Sequence, residues 1–268
     1  MVETEDAFGG VITSESDKPT EKLNFPYLNP QCGPIAVEGV QKGDCLAVYI
    51  HAVETRGEQP AGTTCIMPEF GGLVSTGSTA MLNPPLPERV RKLHVDKDGV
   101  RWSDKIVLPY EPFIGTIGVS PEIEAISSLQ PDYHGGNMDL LYLPVHTNGG
   151  LLYVGDCHAT QGDGALSGVA LEQRATVKLQ VDVIKNWSFA WPRLETRDFI
   201  MTIGSARPLE DAARIAYREL VRWMSADYGF DEIDAYMLLS QAGRMRLGNM
   251  VDPKYTMGAS ILKKYLGA

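Results

Sequence analysis

Up to about residue 205, apolar and polar residues alternate more often than they recur at helical spacing, the signature of half-buried strands. Ile35–Val37 and Cys45–Val53 read as strands on either side of the turn Gln41-Lys42-Gly43-Asp44. Lys92–Val95 and Val100–Trp102 read as a hairpin about Asp96-Lys97-Asp98-Gly99. Lys105–Leu108 and Ile114–Val119 continue the pattern around Pro109 and Pro112, with Gly115 and Gly118 marking close backbone approach or a tight turn. Ala175–Val183 sets Val177, Leu179, Val181 and Val183 against Lys178, Gln180 and Asp182, a strand with one solvated face, and Phe199–Ile203 is another short strand. Glu58–Thr64 and Phe70–Pro85 are crowded with Gly, Pro, Ser and Thr and read as loops, long enough to act as lids.

Helical spacing appears only afterwards. Pro208–Ser225 places Ala212, Ile215, Ala216, Leu220, Val221 and Met224 three and four residues apart, with Glu210 and Asp211 in the first turn, where the helix dipole favours acids. Asp231–Ala242 reads as a second helix. Past Pro253 the pattern fits either a terminal strand or a last helical turn. The expected fold class is α+β: packed, mostly antiparallel sheets with a C-terminal helical hairpin against them. A single domain over 1–268 is expected, β-rich over 1–205, helical over 206–245, with a tail over 246–268.

Composition narrows the function classes. The hydrophobic fraction of 44% and charged fraction of 22% are those of a globular protein. A formal net charge of −10 argues against nucleic acid or an anionic membrane as partner, since both demand positive patches. No apolar run approaches the ~20 residues that span a bilayer, and Met1–Gly10 is acidic where a signal peptide would be basic. Cys32, Cys45, Cys65 and Cys157 lack CxxC spacing and read as reduced thiols, so a cytoplasmic location is expected.

The chemistry concentrates in Pro131–Glu172, which holds three of the five histidines. His134 and His158 sit among Asp132, Asp139, Asp156 and Asp163, with Asn137 and Gln161 as neutral oxygens, while the apolar runs Leu140–Val145 and Leu151–Val154 read as strands leading to these groups. In an extended Asp156-Cys157-His158 segment, residues i and i+2 share a face. Asp156 and His158 can then converge on one ion, while Cys157 turns into the core. Asn137 and Asp139 repeat that spacing, and Gln161-Gly162-Asp163-Gly164 reads as a turn adding a carboxylate. Hard oxygens with imidazole suit a divalent ion, zinc before calcium. Ser75-Thr76-Gly77-Ser78 has no nearby lysine to activate a serine, and G-x-S-x-G is absent.

PDYHGGNMD, LPV and GGLLYVGDCHATQGDG together resemble the acetamidase/formamidase family. The resemblance extends to VETEDAFGG, NPQCGPIAVEGVQKGDCLAVYI, LPYEPFIGTIGVSP and MRLGNMVDP, from about Asp6 to about Pro253 in the family's order. It implies metal-dependent hydrolysis of a small linear amide, such as formamide or acetamide, by a homo-oligomer. In that light Asp139, Asp156 and His158 are the expected metal set, with Asp6 or Asn137 as further ligands. Asn137 and Gln161 are the expected substrate contacts, and Asp163 and His134 the expected acid–base groups. Two departures stand out. Family members follow GDG with glutamate where this chain has Ala165, and they carry a further segment before the stretch on which Met1 falls. Ala165 keeps open a non-catalytic homologue that binds an amide-like ligand, or a β-rich protein whose acids hold a stabilising ion. The start keeps open a truncated or a naturally short chain.

Overall fold

The alternating segments pair into two antiparallel sheets. The computed structural model describes residues 1–73, 86–122 and 140–267, and the backbone of 134–135. The first sheet has eight strands, in the order Val2–Thr4, Ala175–Ile184, Cys45–Thr55, Leu140–Pro144, Arg193–Glu195, Phe199–Ala206, Tyr255–Leu262 and Arg244–Asn249. The second runs Ile106–Leu108, Gly99–Ser103, Arg89–Asp96, Gly62–Ile66, Leu171–Glu172, Leu152–Thr160, Phe113–Gly118 and His134–Gly135, with Gln31–Ile35 also pairing Leu152–Thr160. Leu152–Thr160 thus has three strand partners, Phe113–Gly118, Leu171–Glu172 and Gln31–Ile35.

The sheets face one another. Val48, Leu141, Leu143, Val177 and Leu194 of the first meet Ile114, Ile117, Val154 and Cys157 of the second in one core. The first sheet's other face carries Ile200, Ala259 and Ile261 against Leu220, Trp223 and Met224 of the helix Leu209–Tyr228 and Leu239 of the helix Glu232–Ala242. Burying each such large side chain contributes about 1.5–3 kcal/mol. Strand and helix come so close at Gly204 that a Cβ there would lie 2.3 Å from the carbonyl oxygen of Ala212. Gly229, left-handed at φ 73°, ends the first helix, and Asp231 caps the second by accepting from the N–H groups of Ile233 and Asp234. The fold class is α+β, as expected. Among the described residues no helix is long and apolar enough to cross a membrane.

Two segments depart from the sequence expectation, and past Pro253 the strand and the helical turn left open there both form. Gly62–Ile66 is a strand, although Gly, Pro and Thr crowd the stretch read as a loop. Arg244–Asn249 is a strand whose polar residues fit its place at the sheet edge, and Tyr255–Leu262 pairs beside it before a short 3-10 turn, Lys263–Tyr265. The segment expected as a tail therefore closes the first sheet. Of the expected loop Phe70–Pro85, residues 74–85, and with them Ser75–Ser78, lie outside the described residues.

The turn before Cys45–Thr55 is pinned by Asp44, which accepts from the backbone N–H groups of Gln41 (2.9 Å) and Asn186 (3.1 Å) and pairs with Lys185 at 2.8 Å. The Lys185 hydrogen bond, then those of Asn186 and Gln41, hold its carboxyl at about 2, below the unfolded value. A depressed acid stabilises the fold above its unfolded pKa, and that stability is lost as pH falls through the folded pKa. Asp44→Asn is therefore expected to melt below wild type at pH 7. The gap should narrow below about pH 4 and close near about pH 2 in thermal scans. A gap that persists unchanged at the acid end would contradict this role.

Candidate metal centre

Asp156, His158 and Glu172 bring one donor atom each within 4.8 Å of one another. Strand pairing places them. His158 sits opposite Glu172 on one side and opposite Phe113 on the other, whose ring stacks on the imidazole at 5.9 Å with 13° between planes. Cys157 is fully buried in the core, as the i, i+2 spacing predicts. The backbone does more than that spacing foresees. Val154 and Cys157, three residues apart, both face the core, and so do Ile114 and Ile117 on the adjacent strand. The alternation resets at Asp156, whose φ of 57° is left-handed, a conformation that aspartate tolerates better than most residues.

Gly115 lies beside this reset, between the pairs Gly155–Thr116 and Cys157–Ile114. A Cβ at Gly115 would stand 2.5 Å from Asp156 Oδ2 and 2.6 Å from His158 Cε1. Gly115→Ala must therefore push the carboxylate or the imidazole aside. Displacements of that order cost catalysis about a hundredfold. The variant is expected to lose catalytic turnover by about that factor with an unchanged far-UV circular dichroism spectrum; near-normal turnover would show that the pair tolerates displacement.

The cluster is buried, with Asp156 9%, His158 6% and Glu172 3% exposed. His158 Nε2 lies 3.3 Å from Asp156 Oδ1 and 3.2 Å from Glu172 Oε2. Thr116 Oγ1 and Asn29 Nδ2 donate to Asp156 Oδ2 at 3.3 and 3.2 Å, and the Ala170 N–H donates to Glu172 Oε1 at 3.1 Å. Burial opposes charge on all three groups. For His158 the two carboxylates outweigh burial and lift its pKa well above normal. For Asp156 burial is outweighed by the His158 charge and by hydrogen bonds, so its pKa falls. For Glu172 burial wins and its pKa rises.

The donor set fits a divalent ion. Glu172 Oε2 is buried without a hydrogen bond, its one close contact being His158 Nε2 at 3.2 Å, so it is free to ligate an ion. Two carboxylates around one imidazole carry an excess of negative charge that an ion would neutralise. Ligands about 2.0–2.1 Å from a tetrahedral ion stand about 3.3 Å apart, which matches the spacing around His158 Nε2. Asp156, His158 and Glu172 are the residues that would hold such an ion.

A pocket of about 500 Å³ opens onto the cluster. Asp252 lies in its wall, hydrogen-bonded by Asn249; burial first, then the Asp156 charge, raises its carboxyl to about 7.

The other sequence candidates fall in different places. Asp163 and Gln161 line the same pocket, but the Asp163 carboxylate is held at 2.6 Å by Arg246 and is 54% exposed, while Gln161 Nε2 donates to the Gly248 carbonyl at 3.0 Å. Ala165 also lines the pocket, in a left-handed conformation at φ 47°. Asp6 lies outside the Asp156–His158–Glu172 cluster: its Oδ1 accepts from the N–H groups of Phe8 (3.0 Å) and Gly10 (2.8 Å), a turn that presents Ala7 and Phe8 to the pocket. His134 lies on a strand paired with Phe113–Gly118, but its side chain, with Asn137 and Asp139, is outside the described residues. Sequence reasoning missed Glu172 and Asp252. The available signals were a lone acid in the apolar run Val169-Ala170-Leu171 and an acid between Val251 and Pro253.

Comparison with known proteins agrees with this architecture. The Acetamidase/Formamidase family model matches residues 1–132 and 123–261. An acetamidase from Yersinia enterocolitica is 55% identical with a TM-score of 0.94, covering 98% of this chain and 82% of its own. One from Bacillus halodurans is 34% identical with a TM-score of 0.88, covering 99% and 88%. A predicted acetamidase/formamidase from Thermoanaerobacter tengcongensis is 31% identical with a TM-score of 0.87, covering 99% and 87%. No curated protein matches the chain. The chain belongs to the acetamidase/formamidase family.

Proposed function

We propose that this protein hydrolyses the C–N bond of a linear amide at a divalent-ion centre formed by Asp156, His158 and Glu172, with zinc the first candidate and calcium the second. The observation that carries the reading is the buried cluster of two carboxylates and one imidazole that lines a pocket. A divalent ion held there would polarise the amide carbonyl and acidify water.

The chain's own residues supply the rest. Asn29 and Thr116 hold Asp156 Oδ2, and the Phe113 ring fixes the plane of His158, so the donors stay preorganised. Asp252 is the proton carrier in this reading. With a pKa of about 7, its carboxylate can take a proton from attacking water and return one to the leaving nitrogen. This moves the acid–base role from Asp163, whose carboxylate is committed to Arg246. Ala165 lines the pocket outside the three-residue cluster, so the ion centre of this reading does not depend on a glutamate there.

Ammonia release from acetamide is the test. The native protein is expected to release it, a chelator to stop it, and added zinc or calcium to restore it. Full activity after chelation would refute the ion centre, and no activity in any state would refute the hydrolase reading.

A further inference from the structure

The pocket is much larger than the smallest amides require. At about 30 Å³ of liquid volume for a water-sized group, formamide or acetamide would fill on the order of a fifth of its 500 Å³. Its lining holds an acidic pole, the clustered Asp156, His158 and Glu172 with Asp252, and an apolar wall in which Phe8, Met67, Phe70 and Val169 pack together beside Phe113; Glu111, Asp163, Arg244 and Arg246 also line it. Phe113, stacked on His158, joins the two regions. Pockets of about 300–1,000 Å³ with mostly apolar walls and a few convergent polar groups are built for much larger ligands.

We infer that the preferred substrate is the primary amide of an apolar carboxylic acid, with an aliphatic chain or aryl group of about five to eight carbons filling the wall. The inference rests on the hydrolase reading above. The carboxamide lies at the acidic pole and the acyl group against the aromatic wall. Water's oxygen bonds to the acyl carbon, the C–N bond breaks, and the nitrogen leaves as ammonia with its electron pair and a transferred proton. The products are the apolar carboxylate and ammonium.

Initial rates of ammonia release from acetamide, butyramide, hexanamide and phenylacetamide by the native, ion-loaded protein test this. Each methylene that reaches the wall is expected to raise kcat/KM about threefold to fourfold, with phenylacetamide well above acetamide. Activity that is highest on acetamide and level or falling along the series overturns the inference and leaves the hydrolase reading intact. Absence of ammonia from every amide overturns both.

Discussion

Replacing Glu172 with glutamine is expected to lower kcat/KM by at least about a hundredfold and to remove the thermal stabilisation produced by zinc or calcium. Glu172 is 3% exposed, and its Oε2 faces His158 Nε2 at 3.2 Å without a hydrogen bond. Glutamine keeps the volume and one oxygen but loses the charge that makes a strong ligand. Even indirect partners of a metal cost about 10–100-fold when lost, so a direct ligand should cost at least the upper end. For the native protein, an ion at a hundred times its Kd should add about 2.7 kcal/mol. That amounts to a Tm rise of roughly 5–10 °C for a chain of this size. Differential scanning calorimetry with and without ion reads the difference. An equal rise in Glu172→Gln would remove this residue from the ion centre.

Asp252→Asn should separate chemistry from ion binding. Loss of a general acid–base group costs about 10²–10⁴ in rate. The ion-induced Tm rise should remain, because Asp252 is not among the three clustered donors. The pH profile adds an independent readout. A base must be ionised, so the native rate should rise with pH through an acid limb centred no higher than about 7, the position set by burial and by the Asp156 charge. An ion beside Asp156 would cancel part of that charge and draw the limb lower. Asparagine cannot titrate, so its limb should vanish. A variant with native kcat would return the proton-carrying role to another group.

What was legible in the sequence follows from the range of the interactions. The Asp96–Gly99 hairpin, the helices Leu209–Tyr228 and Glu232–Ala242, and the shared face of Asp156 and His158 depend on neighbours a few residues away, and all three are present. Glu172 joins the site only because the two-residue strand Leu171–Glu172 pairs with Leu152–Thr160, and two residues carry no periodicity to read. Asp252 comes from still farther along the chain, beside the edge strand Arg244–Asn249, whose polar composition concealed it. Asn29 and Thr116 reach Asp156 across 127 and 40 residues. Asp6 and Asp163 carry the right functional groups, yet local geometry assigns them to a turn and to Arg246.

Anomalous diffraction from crystals equilibrated with zinc tests the central claim most directly. The account predicts one strong peak with Asp156, His158 and Glu172 donors about 2.0–2.2 Å away. A fully loaded, active crystal whose peak lies elsewhere, or with no ion among these three side chains, would contradict it.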